Sequence, residues 1–462
     1  MAHLKAVLIS TYELGRQPFG LASPAAWLRE AGVEVSCSDL AVEQLDRQAV
    51  ETADLIGMYV PMHTATRLAA AAVPKIRELN PQAHLCFYGL YAPVNAKYLR
   101  RLGADSIFGG EFEADLLRLA ERLSGDGTAA SEGPTEVGAS LERLRFRRPD
   151  RSGLPALSHY AQLQEGPDRR RLVAYTEASR GCKHLCRHCP IVPVYNGTFR
   201  VVQQDVVLHD VRQQVQAGAR HVTFGDPDFF NGPSHGLKIV RALHEEFPEI
   251  SYDVTIKIEH LARHSDLLPV LKETGCSFVT SAVESIDPVV LDLFDKHHSC
   301  ADFLRVVQRF RELELVLNPT FVTFTPWTTV EGYMELLELL SEQRLVDNVA
   351  PVQYAIRLLL PAGSRLLELP ETKEVVQGYN EEALCYTWEH PDPQMDRLFE
   401  AVTRAVQHGL KAEHSRRQIF AEVWRLASEA YGREAGEGFR CAALDKALPF
   451  ATVPYLTEPW YC

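Results

Sequence analysis

Apolar and polar positions fall into a repeating rhythm over residues 1–124. Short apolar runs are each followed by a stretch with helical spacing. Residues 6–9 read as a buried strand, and 21–31 as a helix stopped by Gly32. Strands follow at 33–38, 54–60, 84–88 and 105–108, with helices at 64–79 and 113–123. Strands alternating with helices predict a doubly wound parallel sheet of Rossmann-like type. Ligands of such sheets sit at the carboxyl ends of the strands. The loops there are 12–20, 61–64, 88–91 and 109–111.

Residues 125–141 are rich in Gly, Ala, Ser, Thr and Glu and read as linker. The strand–helix rhythm then resumes. Strands are predicted at 172–177, 221–224, 252–258, 277–283, 318–325 and 352–359, with a helix at 205–216. Six strands with helices between them predict a full or partial TIM-like βα barrel. After Pro370 the pattern becomes mainly helical, at 396–408 and 417–431, and the last 20 residues read as loop. The predicted organisation is an α/β domain at 1–124, a linker at 125–169, a barrel core at 170–369 and a helical region at 370–462.

Composition narrows the picture. Of 462 residues, 46% are hydrophobic and 24% charged, as in ordinary globular chains. Forty-eight basic and 61 acidic residues leave a net charge of −13. That argues against nucleic acid or an anionic membrane as partner, since both need clustered positive charge. No apolar run approaches a membrane span of about 20 residues. The first residues lack a signal-peptide pattern. Ten cysteines are too few and too uneven for a secreted disulfide scaffold. A cytoplasmic location is the expectation.

Three of those cysteines carry the chemistry. Cys182, Cys186 and Cys189 form a C-x3-C-x2-C loop directly after the first predicted barrel strand. Soft thiolates favour iron–sulfur clusters or zinc. A structural four-iron cluster takes four cysteines, so three leave one iron open. Barrel enzymes hold their chemistry at this carboxyl-end face. Zinc, with His184 or His188 as fourth ligand, is the alternative.

The loop resembles the radical SAM signature, in which three cysteines hold a 4Fe–4S cluster and S-adenosylmethionine chelates the fourth iron. The likeness extends over about 170–365. It implies reductive cleavage of S-adenosylmethionine to a 5′-deoxyadenosyl radical, and a reducing donor such as flavodoxin or ferredoxin. It also implies cofactor contacts for Asp226, in Phe224-Gly225-Asp226-Pro227-Asp228, and for Glu284, at the end of Ala282-Val283-Glu284-Ser285. Lys257, Glu259 and Arg357 lie near strand ends facing the same mouth.

The N-terminal block resembles that of the cobalamin-binding radical SAM subclass. The matching stretches run from Leu14-Gly15 to Gly20-Leu21-Ala22, then Ala53 to Gly57, Tyr88 to Ala92 and Gly109-Gly110-Glu111. The resemblance implies cobalamin near Gly89, Gly109 and Gly110, where small residues would let a flat corrin approach the backbone. The Asp-x-His-x-x-Gly cobalt-ligating motif is absent, and His63 reads as a loop hydrogen-bonding residue. A radical SAM methylthiotransferase would bring three more cysteines in its N-terminal domain, and 1–150 holds only Cys37 and Cys86.

The ending, Leu456 to Cys462, resembles a radical SAM group with a Cys-Cys-Ala-Glu-Pro or Cys-Sec-Ala-Glu-Pro tail. A UGA codon after Cys462 would make the protein a selenoprotein and Cys462 half of a reactive pair. Cys441 is a candidate partner thiol. The expected function is a radical SAM enzyme acting with cobalamin to methylate or rearrange a small molecule or peptide. The competing expectations are cobalamin-independent redox or sulfur and metalloid chemistry through the tail, and a non-catalytic iron–sulfur or zinc sensor.

Overall fold

The computed structural model describes residues 4–125, 138–166, 168–432 and 453–458. Its first sheet contains β1 (Lys5–Ser10), β2 (Glu34–Asp39), β3 (Leu55–Tyr59), β4 (His84–Tyr88), β5 (Ser106–Gly110) and β6 (Gly138–Ser140). The spatial order is β2-β1-β3-β4-β5-β6, and every pairing is parallel. β3 and β5 are buried along their whole length, as expected when helices cover both faces of a parallel sheet. The order reverses between β1 and β3. A switch point of this kind is where open parallel sheets form a crevice outside the strand ends.

The second sheet forms a half-barrel. Its strands are β7 (Gln162–Gln164), β8 (Arg170–Thr176), then, after the small ribbon β9 (Ser179–Gly181) and β10 (Phe199–Val201), β11 (His221–Phe224), β12 (Ser251–Thr255), β13 (Cys276–Glu284) and β14 (Leu317–Phe321). β8, β11, β12, β13 and β14 are parallel neighbours in that order. β7 runs antiparallel to β8. A hairpin, β15 (Val376–Asn380) with β16 (Cys385–Trp388), precedes the C-terminal helices Pro393–Lys411 and Arg416–Tyr431. β17 (Tyr455–Leu456) pairs antiparallel with β7 and so runs in the direction of β8.

The fold class is the expected one: a doubly wound parallel sheet, a partial barrel and a helical C-terminal region. Three local expectations need correction. Residues 352–359 do not form a sixth barrel strand. Pro351 starts a 3-10 turn over Pro351–Ala355, and only Phe324 and Arg357 make a parallel bridge. Residues 138–140, read as linker, add an edge strand. Residues 376–388, read as mainly helical, form the β15–β16 hairpin.

Buried polar contacts join the two sheets. Arg151 clamps Asp210 at 2.7 and 2.8 Å and reaches Gln17. Tyr160 donates to Asp39 at 2.9 Å. Arg180 donates to both oxygens of Glu113, which also accepts from Ser23. No helix among the described residues is long and apolar enough to cross a membrane.

Candidate active site

The cysteine loop leaves β9 through Gly181. Its φ of +72° lies in the left-handed region, and a Cβ there would sit 2.3 Å from the Tyr195 ring. Only glycine turns the chain so tightly at that point. Cys189 N donates to Cys186 O at 3.1 Å, and Arg187 N to Phe294 O at 3.0 Å. The Arg187 guanidinium holds the carbonyls of Asp292 and Leu293, and Ser364 holds its own carbonyl. The loop is therefore fixed from three sides. Its three cysteines are free thiols. Burial pushes the Cys189 thiol up to about 12 and Cys182 up as well. Such thiols ionise against a bound cation, as cluster irons require. Among the described residues, the one Cys/His/Asp/Glu group whose ligating atoms all lie within 4.8 Å is His184, Asp228 and His260. The thiols are spread wider than the sulfurs around one zinc, about 3.8 Å apart at ordinary Zn–S lengths. The donor set fits a cluster.

Asp226 follows β11. One carboxylate oxygen accepts from Ala178 N at 2.9 Å and the other from Ser179 Oγ at 2.5 Å. Burial pushes its carboxyl up to about 7. It ties the end of β11 to the strand that leads into the cysteine loop.

Glu284 ends β13 at a register slip, with φ +68°. A left-handed glutamate is strained, and such strain collects at functional sites. His188 Nε2 and Lys296 Nζ each lie 3.2 Å from Glu284 Oε1. Burial would raise this carboxyl, but Lys296 and then His188 outweigh it and hold it at about 2. His188 stacks on Phe294 at 4.4 Å. The cysteine loop and the end of β13 are thus joined by one ion-paired contact.

A second chain of contacts crosses the same mouth. Lys257 Nζ lies 3.2 Å from His184 Nδ1 and 3.2 Å from Glu259. His184 Nε2 meets His260 Nε2 at 3.2 Å, and His260 Nδ1 lies 2.6 Å from Asp228. Sequence reasoning named Lys257 and Glu259 but passed over Asp228, His260, Lys296 and Asn231. Asn231 Oδ1 receives Lys183 N and lies 3.6 Å from Cys182 Sγ. No spacing signal marks these residues as a set, because three separate segments bring them together: the turn after β11, the helix Ile258–Arg263 and the stretch after Pro288–Leu293. Arg357 turns away from the mouth to Asp396 at 2.7 Å and stacks 3.7 Å over Trp388.

At the N-terminal sheet the predicted glycines are tightly packed. A Cβ on Gly89 would meet Val60 O at 3.0 Å, on Gly109 Pro93 at 2.2 Å, and on Gly110 Ser140 O at 2.1 Å. Gly20 likewise faces the Tyr59 ring. On the side a Cβ would occupy, these glycines admit the protein's own atoms. The rings of Tyr59, Tyr88 and Phe112 cluster beside them at 5.0–5.9 Å. Just outside, the sheet end carries buried polar atoms without hydrogen-bond partners, Ser38 Oγ and Glu13 Oε2, with Thr176 Oγ1 on the facing barrel strand; Glu111 Oε2 there lies 3.5 Å from Arg180, and Ser10 sits beside Asp39. Burial pushes Glu111 up to about 7 and Asp39 to about 6, and raises Glu13. The chemistry of this seam fits a large polar group. His63 Nε2 is 2.5 Å from Ala383 O, a loop hydrogen bond. Cys441 and Cys462 lie outside the described residues.

Residues 176–340 match the family described as the Radical SAM superfamily. That stretch is similar to a radical SAM domain, whose cofactors are a 4Fe–4S cluster and S-adenosylmethionine. Over 344 residues it is 25% identical to the hopanoid C-3 methylase of Methylococcus capsulatus, covering 70% of this chain and 64% of that one. It is 27% identical over 219 residues to the ribosomal protein uS12 methylthiotransferase RimO of Proteus mirabilis, covering 44% and 48%. The chain thus spans about half to two-thirds of the length of these relatives. Among solved structures, the cobalamin-dependent S-adenosylmethionine radical enzyme OxsB superposes with a TM-score of 0.67 at 15% identity, over 93% of this chain and 70% of that one. The radical S-adenosylmethionine methyltransferase TsrM of Kitasatospora setae gives 0.62 at 17%, over 81% and 78%. At such identities the likeness is one of fold.

Proposed function

We propose that the protein is a cobalamin-dependent radical SAM enzyme that methylates or rearranges a small molecule or peptide, with a flavodoxin- or ferredoxin-type donor as reductant. The observation that carries this reading is the facing of two carboxyl-end surfaces. The cysteine loop and Glu284 lie at the end of the half-barrel, and the orphaned polar atoms of the N-terminal sheet lie against it. Cys182, Cys186 and Cys189 would hold the cluster. Glu284, His188 and Lys296 would form the polar wall beside it. Ser10, Glu13 and Glu111 would hold the corrinoid. When bound, these groups supply reductive carbon–sulfur cleavage and methyl transfer.

The protein's own part is orientation and exclusion of water. Asp226 and Arg187 anchor the loop that carries the three thiols, which limits the reorganisation that cluster binding would require. The His188–Glu284–Lys296 contact keeps a carboxylate charged at the mouth despite burial. Burial raises the Glu13 and Glu111 carboxyls, which favours their protonated, O–H-donating forms toward a polar ligand at the seam. The test is a visible-absorbance titration of anaerobically reconstituted protein with hydroxocobalamin, followed by desalting. The reading requires about one corrinoid retained per chain. A wash to zero would overturn it.

The packed glycines favour a second reading, a radical SAM enzyme without cobalamin. Sulfur, metalloid or redox chemistry through Cys462, with or without a selenocysteine after it, belongs to that reading. Zero retention together with 5′-deoxyadenosine formation would select it.

A further inference from the structure

Beneath the mouth, the half-barrel encloses a cavity of about 580 Å³. That volume suits a small-molecule ligand. Thr255, Thr280 and Thr320 line it from β12, β13 and β14. Thr255 lies two residues below Lys257, and Thr280 four below Glu284. At about 3.3 Å per residue, the cavity reaches to within roughly 7–13 Å of those groups along the strands. The β17 segment closes its open side, since Asn318 Nδ2 donates to Pro454 O at 3.3 Å and Tyr455 lines the wall.

The charges in this wall are unequal. Its two acids are already engaged. Asp253 accepts from His221 at 2.9 Å and Thr223 at 2.6 Å, and Glu458 accepts from Tyr12 at 3.2 Å. Its three cations, Arg16, Lys411 and Arg416, form no ion pair among the described residues. Arg16 comes from the loop after β1, at the switch point of the other sheet. Its guanidinium stacks 4.8 Å from the Tyr175 ring and hydrogen-bonds the Tyr175 side chain, while its Nε is buried and has no acceptor. Arg416 stacks 4.6 Å over Tyr455 and donates to Asp347 O through one nitrogen at 2.6 Å. Asn318 Oδ1 is also buried without a partner. In this partly enclosed space the buried Arg16 Nε stays unsatisfied unless an acceptor enters, and neither guanidinium has a carboxylate partner among the described residues. Planar guanidinium forks match carboxylate and phosphate oxygens.

We infer that this cavity binds the substrate through a carboxylate or phosphate held by Arg16 and Arg416, with the three threonine hydroxyls contacting the rest of the molecule. The inference takes the radical SAM reading as its premise only in calling the ligand a substrate; the anion site stands on the cavity alone. It also gives the N-terminal sheet a direct part in substrate binding, through Arg16.

The test is calorimetric binding to the anaerobically reconstituted full chain. Ribose 5-phosphate is compared with ribose, and malate with butane-1,2,4-triol. At least one anion should bind tenfold or more tighter than its uncharged partner, and the tighter of the two identifies phosphate or carboxylate. Arg16→Gln and Arg416→Gln should each weaken that binding about tenfold, with melting temperature confirming a folded chain. Thr280→Val, which removes a hydroxyl at nearly constant shape, should weaken it less. Equal binding of charged and uncharged partners, or binding unchanged in both arginine variants, would overturn the inference. Cys186→Ala separates the two readings: the anion site predicts retained binding there. Failure of wild-type protein to cleave S-adenosylmethionine would sink the radical SAM reading without touching the cavity.

Discussion

The two sheets turn their carboxyl ends toward each other but use them differently. At the half-barrel, the side chains that fix the cysteine loop have specific partners: Asp226 with Ala178 and Ser179, Glu284 with His188 and Lys296, Arg187 with two backbone carbonyls, although His188 Nδ1 is buried without a hydrogen bond. At the N-terminal sheet, glycines are closed off by an aromatic ring, a proline and backbone carbonyls, and Ser38 Oγ and Glu13 Oε2 are buried without a hydrogen-bond partner. The first surface is preorganised around its loop. The second is packed close to the strands and unsatisfied further out. Similar strand–helix topology therefore does not imply similar use, because side chains at strand ends decide it.

The contrast breaks most sharply at the cysteines. Cys186→Ala should abolish cluster absorbance and S-adenosylmethionine cleavage while leaving circular dichroism unchanged, since no strand or helix depends on that thiol. Residual cleavage at wild-type rate would show that the loop is not the cluster site.

Glu284→Gln comes next. It leaves Lys296 buried without its carboxylate, which costs about 3–5 kcal/mol. Denaturant unfolding should show that loss, and Glu284→Gln/Lys296→Met should recover much of it. Equal stability of the single variant and wild type would mean the pair is solvated.

Gly181→Ala should cost about 1–3 kcal/mol, the range for strained backbone, and lower iron incorporation. Gly110→Ala would place a Cβ 2.1 Å from Ser140 O, so it should destabilise the chain by at least a similar amount with iron incorporation unchanged. Iron loss in both would erase the distinction between the two surfaces.

The smallest effect is a pH slope. Glu111 sits at about 7 and Asp39 at about 6, both above their usual values through burial. The folded chain then binds more protons than the unfolded one between about pH 4 and 7, so these groups favour folding at the acid end and lose that contribution as pH rises. Glu284 works in the opposite sense, because its stabilisation is lost only as pH falls from about 4.5 toward 2. Glu111→Gln should flatten the fall in stability between pH 5 and 7 in urea titrations. An unchanged slope would show that Glu111 titrates as an exposed carboxyl.

Much of the architecture was legible because it is written in local periodicity. The strands at 84–88 and 221–224 and the helix at 113–123 have the predicted limits. Residues 138–140 were missed because an edge strand of three residues carries no alternation, and its pairing with β5 is visible only in space. Residues 352–359 read as a strand because they are apolar, yet Pro351 and the packing of Tyr354 on Phe420 make a turn. The cysteine triad was legible because its three ligands share one loop. Lys296, His260 and Asp228 were not, since no sequence spacing relates a β11 loop, a β12 helix and the segment after β13. The glycines were legible as places needing no Cβ, but which atoms fill that space is a tertiary fact.

The central claim is that the three-cysteine loop holds a redox cluster that acts on S-adenosylmethionine. The direct measurement is iron and sulfide content of anaerobically reconstituted wild-type protein, followed by dithionite reduction with S-adenosylmethionine and quantification of 5′-deoxyadenosine. The account predicts about four irons per chain and product formation that disappears in Cys186→Ala. Stoichiometric zinc in place of iron, or a four-iron protein that leaves S-adenosylmethionine intact after reduction, would contradict it.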